Sequence, residues 1–274
     1  MGRSPRALIG LVRFAMRTAP FPFLRLFGTV TYVRTTEPVA ALTFDDGPDP
    51  TFTPRIAAIL EEAGARGTFF MVGEAVKRCP EIVRRVALGG HAVGNHSWSH
   101  PIFPLLSSRE RRMEMRSCEQ SLRPYGSGLF RPPFGRQTVG TRLDALLLGY
   151  EVVTWNLSAG DWLEQSPEEM VRVLEDGLRP GSIILLHDGL YYPTRESLAD
   201  RRATVEAVAL FLSRTRNHYR FVTLPELFRS GRRNRELWFR SADRAWWQAL
   251  YGPINEQPRG YGSLSARPVR GSEP

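Results

Sequence analysis

Seven short apolar runs alternate with stretches of helical spacing along most of the chain: Val39–Phe44, Gly67–Met71, His91–Asn95, Gly128–Arg131, Glu151–Trp155, Ser182–Leu186 and Tyr219–Thr223. They are short and rich in apolar and β-branched residues, which is how strands buried on both faces read. Helix signals lie between them. Thr53 before Pro54 reads as an N-cap, with Ile56, Ile59, Leu60 and Ala63 on one face. Pro80 opens a second helix and Gly89-Gly90 closes it. Ser107 with Glu110, and Ser166 with Glu169 around Pro167, read as capping boxes. Strand–helix alternation predicts an α/β fold with a parallel sheet and right-handed crossovers. The sheet is either open or an incomplete barrel, and in both cases chemistry belongs at the C-terminal ends of the strands.

The length of 274 residues suits one or two domains with a large core. Hydrophobic residues at 42% and charged residues at 24% exclude a disordered chain, collagen and a membrane bundle. Cys79 and Cys118 are too few for a disulfide framework and read as free thiols. No apolar run reaches the length of a transmembrane helix. The run Ala7–Val12 is stopped by Arg13, which is short for a cleaved secretory signal. The net charge of +9 is uneven, because residues 1–38 and 229–274 each carry +5 around a body of −1. Three regions are therefore expected: an extension over 1–37, a catalytic body over 38–228 and a second extension over 229–274.

A near-neutral body argues against nucleic acid as a partner. Arg6, Arg13 and Arg17 share one side of a helical wheel, opposite Ala7, Leu8, Leu11, Val12 and Phe14. Such a basic amphipathic stretch suits peripheral contact with an anionic membrane, or a helix covering an open barrel seam. The location that fits is the cytoplasm with peripheral membrane attachment, and the cell envelope is the alternative. Thr29–Arg34 is expected to form a hairpin with the first apolar run. Trp238, Phe239, Trp246, Trp247, Leu250 and Tyr251 suggest one more short helix, and a disordered tail is expected beyond Gly252.

Five strand ends carry polar clusters: Asp45-Asp46, His96 to His100, Arg131, Asp161-Trp162 and His187-Asp188. His96 and His100 stand four apart, one helical turn, so both imidazoles can reach one ion. Two unrelated loop histidines are the plainer reading. A carboxylate from another strand end would complete a two-His, one-carboxylate site with positions left for water or substrate. Asp45 and Asp46 alternate within a strand, yet a turn at Gly47-Pro48 lets both reach the pocket. The plainer reading is a turn-forming pair.

Thr43-Phe44-Asp45-Asp46-Gly47-Pro48 followed by His96-Ser97-Trp98-Ser99-His100 resembles the polysaccharide deacetylase family, the chitooligosaccharide (NodB-like) group of carbohydrate esterases. The clusters at Arg131, Asp161 and His187 follow in that family's motif order, over residues 38–228. The resemblance implies a distorted seven-stranded parallel β/α barrel, a divalent metal (usually zinc, with cobalt or nickel as alternatives) and hydrolysis of N-acetyl groups on amino sugars. It implies that Asp46, His96 and His100 bind the metal and that Asp45 is the general base, held by Arg131. His187 would be the general acid, paired with Asp161. Leu185 and Trp162 would line the acetyl pocket, and the Phe134 N–H would stabilise the oxyanion. The sequence departs from the pattern at Ser158, where an acid often precedes the Asp-Trp pair.

His91 reads as a core histidine and His218 as a solvated one. Tyr191, with Tyr192, is a candidate for stacking on a sugar ring. The alternatives are an O-deacetylase or deformylase acting on a lipid-linked sugar, a non-catalytic carbohydrate-binding module, and a two-His, one-carboxylate iron oxygenase. The retained pairs Asp45–Arg131 and Asp161–His187 argue against mere binding, and an oxygenase has no need of an acid at His187.

Overall fold

The seven apolar runs assemble into one parallel sheet in a computed structural model that describes residues 27–193 and 195–240. In chain order the elements are β1 (Thr29–Arg34), β2 (Val39–Asp45), α1 (Phe52–Glu62), β3 (Gly67–Met71), α2 (Gly73–Arg78), α3 (Pro80–Leu88), β4 (Ala92–Asn95), α4 (Ser108–Leu122) and β5 (Gly126–Phe130). They continue with α5 (Val139–Leu147), β6 (Glu151–Val152), β7 (Leu157–Ser158), α6 (Pro167–Gly177), β8 (Ile183–His187), α7 (Arg202–Thr215), β9 (Arg220–Phe221), α8 (Leu224–Leu227) and β10 (Arg232–Glu236). The sheet order is β6-β5-β4-β3-β2-β8-β7, with β9 paired to the start of β2. β6 and β7 are the two ends of one segment, so the chain itself joins the two edges of the sheet. Seven segments thus build a distorted parallel barrel.

Side-chain alternation sorts each strand between two cores. Leu42 and Phe44 of β2, Phe69 and Met71 of β3, and Ile184 and Leu186 of β8 pack together with the surrounding helices. Ala41, Phe70, Leu129 and Ile183 form the interior cluster with Leu224 and Leu227 of α8. Continued to the strand ends, the interior parity takes in Asp45, Arg131, Leu185 and His187. Burial of the lower interior by apolar side chains leaves the C-terminal rim as the place for polar ones.

β1 does not form the expected hairpin. It pairs antiparallel with β10, about two hundred residues away, and touches Val153 in parallel through Val30. The Val33 N–H also donates to the Gly181 carbonyl at 2.9 Å. β1 thereby covers the seam where β7 parts from β6, satisfying backbone groups that an open edge would leave unpaired. Residues 229–240 accordingly pack into the body. Trp238 and Phe239 are not helical. Trp246 to Tyr251, the expected tail and the basic stretch over 1–26 lie outside the described residues.

Both capping boxes, Ser107–Glu110 and Ser166–Glu169, are present. Thr53 is not an N-cap: α1 starts one residue earlier, and the buried Thr53 hydroxyl donates to Asp188 of the strand-end cluster. Cys79 and Cys118 are free thiols. No helix among the described residues is long and apolar enough to cross a membrane.

Candidate active site

Asp45 closes β2 on its interior side, and Asp46 then takes a left-handed backbone, φ 75°. That turn brings a second carboxylate to the same rim, which a continuing strand would send to the opposite face. The next residue must be glycine, because a Cβ at Gly47 would collide with the Asp188 carboxylate. His96 and His100 do converge, though not as one helical turn. The loop after β4 uses left-handed Ser97 (φ 71°) and His100 (φ 54°) to bring the rings to 4.9 Å. Glu114 of α4 fixes this loop by accepting from the Trp98 and Ser99 N–H groups. With Phe134 (φ 56°), these are the positive-φ residues other than glycine among those described. Each such residue costs about 1–2 kcal/mol, and their concentration at one rim is the signature of a functional site.

Asp46, His96 and His100 place ligand atoms within 4.8 Å of one another. Asp46 Oδ1 lies 3.3 Å from His96 Nε2 and 3.1 Å from His100 Nε2. The other oxygen, Oδ2, accepts the Tyr191 N–H at 2.9 Å. His96 Nδ1 lies 2.8 Å from the Arg131 carbonyl, which can only accept, so Nδ1 carries a proton and Nε2 is the nitrogen turned toward Asp46. One carboxylate oxygen and two imidazole nitrogens so close together are a donor set that fits a divalent metal ion. Burial lowers the pKa of His100, outweighing Asp46 and favouring the neutral ligand form. Burial raises that of Asp46, but His100 and His96 reverse this and hold it well below the usual carboxylate range.

Arg131 is fully buried, and each of its three guanidinium nitrogens donates a hydrogen bond. NH1 donates to Asp45 Oδ1 at 2.7 Å and to Thr43 Oγ1 at 2.8 Å; NH2 and Nε donate to the Thr154 and Val153 carbonyls. The Phe70 ring lies 4.1 Å beneath it. Asp45 Oδ2 is left facing His96 Nε2 at 3.8 Å. His187 Nδ1 meets Asp161 Oδ1 at 2.9 Å, while Asp161 Oδ2 accepts the His187 N–H at 2.8 Å. Burial disfavours the His187 imidazolium, but Asp161 outweighs it and the pKa is pushed up to about 9. Burial likewise acts against ionised Asp161, and His187 with Arg201 brings it below the ordinary value.

Leu185 is buried beside Thr43 and Ser158 in the strand register. Trp162 stands edge-on to His187 at 5.6 Å with 38% exposure. The Phe134 ring meets His100 at 4.5 Å. Tyr191 departs from expectation: its ring is buried, its hydroxyl bonds Glu74, and it backs His100 at 5.5 Å, so it offers no open face to a sugar. Ser158 accepts the Gly160 N–H at 3.2 Å, shaping the turn into Asp161 without supplying an acid. His91 is a core residue, accepting the Gly67 N–H at 3.0 Å, and His218 is exposed.

Several supports escaped sequence reasoning. Buried Arg201 donates to the Asp161 carbonyl and to Thr204, and Glu114 carries the histidine loop. Neither has a local signal. Asp188 had one, standing directly after His187. It is fully buried, and burial pushes its pKa up to about 7.

The polysaccharide deacetylase family model matches residues 32–153. A peptidoglycan-N-acetylglucosamine deacetylase of Bacillus cereus is 35% identical over 208 residues, covering 74% of this chain and 94% of the relative. A chitooligosaccharide deacetylase of Azorhizobium caulinodans is 38% identical over 152 residues, covering 54% of this chain and 72% of the relative. A solved peptidoglycan N-acetylglucosamine deacetylase superposes with a TM-score of 0.69 at 29% identity, over 78% of this chain and 99% of its own. The family-model match spans the strand ends that carry Asp45, Asp46, His96, His100 and Arg131, and with the 35% identical relative covered over 94% of its length, the chain belongs to the polysaccharide deacetylase family.

Proposed function

We propose that this protein is a metal-dependent hydrolase that removes N-acetyl groups from amino sugars of a peptidoglycan- or chitooligosaccharide-like substrate. One observation carries the reading: a carboxylate tied to a buried Arg and an imidazole tied to a buried Asp stand beside three convergent metal-ligand side chains. Asp46, His96 and His100 hold the ion, with zinc the first candidate and cobalt or nickel as alternatives. When bound, the ion lowers the pKa of water and polarises a carbonyl.

The remaining work falls to the chain. Asp45, oriented through Oδ1 by Arg131, takes a proton from the attacking water at Oδ2. The Phe134 N–H donates to the developing oxyanion. His187, with Nδ1 on Asp161, gives its Nε2 proton to the departing amine nitrogen. Leu185 and Trp162 wall the acetyl methyl. The Asp161 pair thus holds an acid protonated, while the Arg131 pair orients the base.

His187 supplies a pH test. Its folded pKa of about 9 exceeds the ordinary value of about 6.5. The acid form, and the stability that its pairing contributes, is complete below the lower value and is lost as pH rises through the higher one. The basic limb of the kcat profile is expected at or below about 9, since a nearby metal cation repels the imidazolium. Asp161→Asn should move that limb downward, and an unmoved limb would remove His187 from the acid role.

Purified protein loaded with zinc should release acetate from N-acetylglucosamine oligosaccharides or peptidoglycan fragments. Release of formate from lipid-linked formamido sugars alone would favour the deformylase alternative. The composition of the stretch 1–26, with five Arg and no acid among apolar residues, supports contact with an anionic membrane. Salt-sensitive sedimentation with anionic vesicles tests this contact. The relatives named for peptidoglycan favour the cell envelope as the place of action.

A further inference from the structure

The loop that carries Phe134 is held from outside by a segment far away in sequence. After β10 the chain climbs to the rim, and the Trp238 indole N–H donates to the Gly135 carbonyl at 2.9 Å. The Gln137 N–H donates to the Arg240 carbonyl at 3.1 Å, and the Gln137 side chain donates to the Trp238 carbonyl at 2.7 Å. Trp155 closes the other side, occupying the space that a Cβ at Gly135 would need and meeting Trp238 edge-on at 5.5 Å. The loop needs such support, because Phe134 and Gly135 are consecutive left-handed residues, φ 56° and 61°, a backbone that relaxes when its partners are removed. Phe134 also touches His100 through its ring, so the loop meets the metal-ligand cluster directly.

We propose that Trp238 is a positioning residue for the oxyanion donor: its indole N–H fixes the Gly135 peptide and so aims the Phe134 N–H at the reacting carbonyl. The claim rests on the function proposed above. It makes the segment Trp238–Arg240, which lies outside the family-model match, part of the catalytic apparatus without contact to substrate. An oxyanion donor acts in the transition state far more than in the ground state. Loss of its aim therefore lowers kcat and leaves KM nearly unchanged. Removing such a donor outright costs on the order of 10²–10³ in kcat, so loosening it should cost about tenfold.

Trp238→Phe keeps an aromatic ring against Trp155 and deletes the donor. In the full-length, zinc-saturated protein with an N-acetylglucosamine oligosaccharide as probe, kcat should fall about tenfold with KM within twofold of wild type. Metal content and Tm should match wild type. Amide exchange in the segment 133–137 should accelerate about tenfold, while β2 and β8 keep wild-type protection. Trp238→His, which restores a ring N–H, should recover part of both effects. Unchanged exchange at 133–137 overturns the proposal whether or not the wild type releases acetate. A fall in kcat that follows loss of Tm or metal also overturns it, since that marks general packing. Wild-type protein without acetate release overturns the proposed function instead, and the exchange comparison still decides whether Trp238 holds the loop.

Discussion

Asp45→Asn should retain metal and lose on the order of 10²–10⁴ in kcat, the usual worth of a positioned proton-transfer group. The amide has nearly the shape of the carboxylate, so Oδ1 can still accept from Arg131, but no proton acceptor then faces the water. The same change leaves the fully buried Arg131 guanidinium without its counter-charge. Breaking a buried pair by removing one partner costs about 3–5 kcal/mol, a large share of a typical folding stability of about 5–15 kcal/mol. The Arg131 contacts to Thr43, Val153 and Thr154 survive and reduce that loss. Kinetics and urea denaturation on one sample separate the two effects: the activity loss should persist at temperatures where the variant is fully folded. Metal loss in Asp45→Asn together with metal retention in Asp46→Asn would mean that the two aspartates exchange roles.

The double variant His96→Ala with His100→Ala should lose bound metal and, with it, activity beyond detection. Asp46 alone cannot hold an ion that needs three protein ligands. A ligand that binds only the folded state stabilises it by about 2.7 kcal/mol at a hundred times its Kd. Wild-type Tm should therefore rise when zinc is added to chelator-treated protein, and the double variant should show no rise. Full metal occupancy in the double variant, measured by elemental analysis, would place the metal elsewhere.

Much of this arrangement is legible in the sequence because it is local. Five of the seven strand ends announce themselves by an apolar run stopping at a polar cluster, and the turn at Gly47-Pro48 explains how Asp45 and Asp46 both reach the rim. The spacing of His96 and His100 correctly brings the rings together, yet the means is a left-handed turn, which a count of four cannot distinguish from a helix. What could not be read is non-local. β1 alternates as a hairpin partner should, but its hydrogen bonds go to β10, to Val153 and to Gly181. Thr53 carries the residue type of a cap, but burial beside Asp188 turns its hydroxyl inward. Arg201 at the start of α7, Glu114 in the middle of α4 and Trp238 on a distant strap support the site from places that no spacing rule connects to it. Tyr191 shows the reverse case: an aromatic placed near the site by sequence is drawn under it by Glu74.

The most direct test of the central claim measures both products of amide cleavage. Zinc-loaded wild-type protein should release acetate and expose free amines in equal amounts from an N-acetylglucosamine oligosaccharide. A chelator should stop both, added zinc should restore both, and Asp45→Asn should show neither above its predicted residual rate. Acetate without new amines would mark ester hydrolysis, and unchanged release under chelation would contradict a metal-dependent site at Asp46, His96 and His100.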